Sequence, residues 1–326
     1  MKLNRKFKLF INYFLGPVLF IWLSWSIYRQ IRLQPDLGKA WEQIRSSLWS
    51  ISLGNLLAVF LFMLINWGIE ALKWKLAIRG IQQLPFLKAF KAILSGVSFS
   101  ISTPNRVGEY LGRILYMEEG NRLRTIALTI ICSMSQIITT LFMGLIGLFV
   151  LMPAISGSQI ISFPWNNVII YGTLLVLLVM VLFYFKVSII VRWFHRLPGS
   201  QRFIYLVEAL ENLDAKLLMQ LLLLSAIRFL VFILQYYLLF QLFAVDIDWM
   251  QTFFAASVHF LVMAIIPGFA IADIGIRGEV SIRLFGLYST NSLGILISTV
   301  LLWFINLVIP AIAGSLLILG IKKLWR

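Results

Sequence analysis

A glutamate and an arginine four positions apart occur twice in this chain, each time just behind a glycine: Gly108-Glu109 with Arg113, and Gly278-Glu279 with Arg283. A further arginine precedes each group, Arg106 in the first and Arg277 in the second, and a proline stands ahead of each, Pro104 and Pro267. The spacing from proline to glutamate differs, so the two stretches form a degenerate repeat. Residues at i and i+4 share a helix face, so each carboxylate can pair with its guanidinium and lower the cost of taking both out of water. Guanidinium groups also bind phosphate through two parallel hydrogen bonds. The chemistry implied is capture and release of an anion, with the glutamate holding the arginine between events. The same glutamates could instead meet a cationic head group or carry a coupling proton.

Such residues need elements that bring them together in a very apolar setting. The chain has 326 residues, 60% of them hydrophobic and 14% aromatic. Repeated runs of about 20 apolar residues match the thickness of a bilayer core. The expected fold is therefore all-α and polytopic, a single integral domain over 1–326 with no polar stretch long enough to fold separately. Apolar segments fall near 10–28, 52–72, 86–101, 125–152, 167–185, 217–244, 250–266 and 291–320. Tryptophans such as Trp25, Trp49, Trp74, Trp165 and Trp249 mark their ends, where interfacial aromatics belong. The start, MKLNRKFKLF, has the charge of a signal peptide, but no small-residue cleavage site follows, which predicts an uncleaved first span. A short amphipathic piece at 37–49 is expected on the membrane surface.

The net charge of +15 is explained by basic residues at span ends, and nucleic acid is not the expected partner. Cys132 is alone, which leaves no disulfide framework and no thiol metal site. Loop charge places both termini and the 73–91 and 186–216 connections on the cytoplasmic side of the plasma (inner) membrane. The uncharged 152–167 connection and the acidic Asp246–Asp248 loop belong outside. The first connection, with Arg29, Arg32, Lys39 and Arg45, is external in this scheme against its charge. Both ends of 92–124 then lie inside and both ends of 249–290 outside. The second arms, 106–116 and 277–285, are too short to cross alone. The sequence thus predicts six full spans around two re-entrant hairpins of opposite orientation, at about 92–117 and 253–286. Proline ends each incoming helix and glycine allows the turn, making Pro104, Gly108, Pro267, Gly268, Gly275 and Gly278 hinge residues. Broken helices of opposite entrance side follow the inverted-repeat plan of secondary transporters. The plainer reading makes both stretches interfacial loops whose ion pairs staple helix ends; their matched occurrence on opposite sides favours the first.

Other polar residues sit within spans. Arg228 lies well inside an apolar run and needs a partner, for which Asp273 and the hairpin glutamates are the expected choices. Glu70 and Lys73 read as an ordinary pair near a span end, and His259 as a hydrogen-bonded packing residue. Asn66, Gln136, Gln235 and Asn306 read as interhelical hydrogen-bonding groups. There is no P-loop, His-Glu-x-x-His or nucleophile elbow. The Asp246/Asp248 pair reads as an acidic outer loop rather than a metal site, and neither metal nor cofactor is expected.

At the two hairpins and at NWGIEALKWKLAI, the end of the second span, the sequence resembles the flippase-like transmembrane region of lysylphosphatidylglycerol synthases. The resemblance extends over nearly the whole chain in segment order. It implies functional positions at Pro104, Gly108, Glu109, Pro267, Gly268, Gly275 and Glu279. Where the family's first element approaches through glycines, this chain has Asn105 and Arg106. The synthases' cytosolic aminoacyl-transfer domain has no counterpart in these residues, so the resemblance implies translocation rather than lipid aminoacylation. The expected function is movement of an anionic, aminoacylated or polyprenyl-linked lipid head group between leaflets, at a site formed by Arg106, Glu109, Arg113, Arg228, Asp273, Arg277, Glu279 and Arg283. Two alternatives stand beside it: an intramembrane lipid- or glycan-transferase with Glu109 or Glu279 as general base, and a scaffold for a partner enzyme on another chain. Lipid identity, transport direction, energy source and oligomeric state are not encoded legibly.

Overall fold

Within a bilayer each backbone N–H and C=O has to be satisfied inside its own segment, which selects helices. Among the described residues all regular structure is helical. The structure, a computed structural model, describes residues 52–101, 103, 107–157, 163–187, 209–211, 213–266 and 272–324, with Trp25, Tyr28, Gly38, Glu42 and Arg45. Most of the first expected span, of the 37–49 surface piece and of the 186–216 connection falls outside these residues.

The elements are α1 (Ser52–Ile78), α2 (Phe86–Ile101), α3 (Gly108–Ile114), α4 (Arg122–Gly157), α5 (Phe163–Phe185), α6 (Ala215–Leu242), α7 (Trp249–Ile265), α8 (Ala272–Phe285), α9 (Ser292–Trp303) and α10 (Ile309–Leu324). A π-helical segment, Phe304–Val308, joins α9 to α10 into one continuous rod. Five helical stretches are long and apolar enough to cross a membrane: 54–78, 119–154, 167–185, 215–242 and 292–318. They coincide with the expected full spans other than the first. α5 is apolar on all sides and stands at the edge of the bundle, with Leu175, Leu178 and Leu182 exposed.

α1 and α6 form the central pair. Val59, Asn66, Glu70 and Lys73 of α1 meet Gln235, Arg228, Arg228 and Ser225 of α6 in that order, so the two helices run antiparallel. Around them lie two helical hairpins. In α2–α3, Gly96 faces Glu109 and Gly112 while Phe99 faces Gly108, an antiparallel return. Its ends are tied together: the Glu118 N–H donates to Gln82 Oε1 at 3.1 Å and Asn121 Nδ2 donates to the Ile81 carbonyl at 3.1 Å. In α7–α8 the ends are tied in the same manner, Asn291 Nδ2 donating to the Phe243 and Ala244 carbonyls at 3.1 and 3.0 Å. Ala244 adopts φ 52°, the left-handed region, to present that carbonyl. Because α1 and α6 are antiparallel, the two mouths lie at opposite ends of the bundle.

Each hairpin leans on the closing span of the other half. Gly314 of α10 lies against the Leu94 carbonyl of α2, where a Cβ would come within 2.0 Å. Gly144 and Gly147 of α4 receive Leu261 and the Phe254 carbonyl of α7. Small residues let backbones approach closely where no hydrophobic drive separates helix contacts from lipid contacts.

A buried charge cluster as candidate functional site

Glu70 is the hub of the molecule's interior. Three cations converge on it: Lys73 Nζ at 2.9 Å, Arg113 Nη2 at 3.0 Å and the Arg228 guanidinium. All four side chains are nearly inaccessible, Lys73 at 1% and Glu70 at 6% exposure. α1 supplies Glu70 and Lys73, α3 supplies Arg113 and α6 supplies Arg228. Arg113 also reaches Glu109 at 3.4 Å, one turn earlier on α3. Around this core, Arg228 Nε donates to Asn66 Oδ1 at 2.6 Å and Arg228 Nη1 to Gln136 Oε1 at 3.4 Å. Lys73 Nζ donates to Ser225 Oγ at 3.2 Å, which is bonded in turn to Ser135.

Sequence makes this convergence possible through small residues. α3 lies so close to α2 that a Cβ on Gly112 would come within 2.2 Å of the Gly96 nitrogen. Gly108, the first residue of α3, donates its N–H to Thr103 Oγ1 at 2.7 Å, which anchors the start of the short helix. Arg113 is thereby driven inward to 3% exposure. Its Nε and Nη1 atoms are buried and meet no acceptor. Three cations against Glu70 and Glu109 leave the group with one excess positive charge, and two buried donors on Arg113 lack acceptors. An anionic oxygen ligand satisfies both conditions.

The π-helical turn in the last span serves this site. Within it the Asn306 carbonyl accepts from Trp67 Nε1 at 3.2 Å. The Trp67 ring lies 5.5 Å below the Arg228 guanidinium and Phe232 lies at 5.9 Å, so the cation is framed by aromatic faces. Asn306 Nδ2 also donates to Gln235 Oε1 at 3.1 Å. Single π-turns are common beside functional sites.

The structure unites some expected residues and separates others. Glu109, Arg113 and Arg228 meet in one cluster. Arg228 is anchored on Glu70 and Asn66, two partners the sequence reading did not assign to it, because α1 packs directly along α6. Glu70 pairs with Lys73 as expected, yet deep inside the bundle and not as a simple end pair. Asn66, Gln136, Gln235 and Asn306 do form interhelical hydrogen bonds. In the second hairpin Glu279 accepts from Arg283 at 2.7 Å, but Arg283 is 57% exposed. Ile282 occupies the position that Gly112 holds in the first arm, which removes the close approach. Gly275 and Gly278 lie inside α8 rather than at a break, because that helix runs unbroken from Ala272. His259 is fully buried against Tyr236, Phe260 and Phe285, with neither ring nitrogen hydrogen-bonded, so it packs without the expected partner. Asp248 caps α7 by accepting from Gln251 N at 2.8 Å, a structural role for the acidic loop. Pro104, Arg106, Pro267 and Gly268 fall outside the described residues, and Asp273 is described through its backbone alone.

An all-α polytopic membrane protein that keeps a cation-rich cluster at its centre is thus the class that fold and site define. Within that class the chain belongs to the family described as the lysylphosphatidylglycerol synthase TM region, whose model matches residues 13–314. This ties it to a membrane region associated with lipid chemistry. No protein of curated function matches the chain.

Proposed function

We propose that the protein moves a lipid with an anionic head group from one leaflet to the other, with Arg113 as the phosphate ligand and Arg228 and Lys73 as its electrostatic support. The observation that carries this reading is the buried Arg113 guanidinium with two donor atoms lacking acceptors, inside a cluster with one excess positive charge. Glu109, whose side chain is 19% exposed, is the outermost carboxylate of the group. In this reading it yields its place on Arg113 to the incoming phosphate and returns when the lipid leaves, so the arginine is never buried without a counter-charge. Glu70 stays in place and keeps the three cations from repelling one another apart.

The short hairpins act as re-entrant elements in this scheme. Seven residues of α3 extend about 10 Å at 1.5 Å each, against a hydrocarbon core of about 30 Å. With the mouths at opposite ends of the bundle, α2–α3 faces one leaflet and α7–α8 the other. In this reading, which the basic loop charges support, the first mouth and both termini face the cytoplasm. The protein is then a transporter rather than a transferase, with a membrane lipid as its partner and any head-group chemistry left to a separate enzyme.

Reconstitution in proteoliposomes with a fluorescent anionic phospholipid tests the assignment. Arg113→Gln is expected to slow translocation at least tenfold, while Arg283→Gln, on the exposed arm, changes it less than threefold. Unchanged transport in a folded Arg113→Gln protein would remove Arg113 from the site.

A further inference from the structure

The connector between α1 and α2 folds back along the outer face of α1 and leaves a cavity of about 440 Å³, lined by Lys75, Leu76, Arg79, Gln83, Leu84 and Pro85. We infer that this cavity is a second lipid site, separate from the buried cluster, that holds the phosphate of an anionic phospholipid at the membrane edge with its acyl chain lying along α1.

Three features point to such an occupant. Lys75 and Arg79 both line the cavity, and no ion pair or side-chain hydrogen bond engages either one among the described residues. Arg122, across the same mouth, is by contrast paired with Glu119 at 3.5 Å. Two uncompensated cations facing one space, with the Gln83 amide beside them, match a phosphate and its ester oxygens. Its volume falls within the range of small-ligand sites.

The apolar surroundings supply the rest of a lipid. Leu72, Lys75, Leu76 and Arg79 follow one another at helical spacing on a single face of α1. That face continues away from the cavity through Leu64, Leu61 and Leu57, all more than half exposed. Phe86 lies over Gly68, where a Cβ would sit 3.9 Å from the ring edge, and forms one wall of the track. The face is thus charged where α1 ends and apolar toward the middle of the span. A free phosphate or a soluble anion would use only the charged end.

The proposal does not rest on the transport reading, because binding here is measured without translocation. Native mass spectrometry of the full chain in mild detergent, titrated with short-chain phosphatidylglycerol, phosphatidylcholine and glycerol phosphate, reads it directly. Phosphatidylglycerol is expected to bind at least tenfold tighter than the other two. With Arg113→Gln as the common background, so that the central cluster does not contribute, Lys75→Gln/Arg79→Gln should lose that preference, while Arg122→Gln/Arg124→Gln keeps it within twofold. Equal loss in both double variants would mean that general surface charge attracts the lipid, and would overturn the site. Equal binding of glycerol phosphate would overturn the acyl-chain track. Should the first double variant aggregate, Gln83→Glu places a carboxylate in the cavity wall and must weaken phosphatidylglycerol by a similar factor; unchanged affinity there also overturns the proposal.

Discussion

Glu70 decides the electrostatics of the interior, because one carboxylate separates three cations that water cannot reach. Neutralising it leaves Lys73, Arg113 and Arg228 confined with only Glu109 to offset them. Glu70→Gln is expected to destabilise the protein by about 3–5 kcal/mol, the range for breaking a buried ion pair. Denaturation in detergent should show this, and Glu70→Gln/Arg228→Met should recover part of the loss, since Met fills similar space without charge. Of these residues, Glu109 and Arg113 were legible through the repeated Gly-Glu-x-x-x-Arg motif, and Arg228 through its cost in an apolar run. Glu70 was passed over because Lys73 three residues on offers a sufficient local partner. Nothing in a single chain indicates that α3 and α6 aim their arginines at the same carboxylate.

At the scale of elements, the α2–α3 contact rests on Gly96, Gly108 and Gly112. A methyl group at Gly112 would overlap the α2 backbone, and α3 would have to move off, drawing Arg113 away from Glu70. Gly112→Ala is expected to cost about 1–3 kcal/mol and to lower the melting temperature by several degrees. Gly172→Ala, on exposed α5 with nothing within 4 Å of its Cβ, should leave it unchanged or slightly raised. The apolar segments and the two short second arms were legible, since hydropathy and the parity of loop charge are written along the chain. The unequal depth of the two arms was not. The motifs match in Gly, Glu and Arg; among the three residues between them, the one before the arginine is Gly112 where the guanidinium is buried and Ile282 where it is exposed.

For the whole molecule, the geometry predicts that the connectors at 79–85 and 286–291 emerge on opposite faces. Single cysteines at Gln83 and Thr290, both exposed, should react with a membrane-impermeant maleimide from opposite sides of sealed vesicles. The native Cys132 is buried and should stay silent. Labelling of both from one side would be incompatible with antiparallel α1 and α6 carrying a hairpin mouth at each end. The inverted relation between halves was foreseen from loop charge, but the exchange of contacts between them was not, because hydropathy has no record of which helix is a neighbour.

That exchange sets an order of events during synthesis. α2 leaves the ribosome early, yet the surface it turns toward Gly314 has no cover until α10 is made. At about 5–20 residues per second the wait is on the order of 10–40 s. For that interval the first hairpin is a half-built element, with lipid lying where α10 will come to rest.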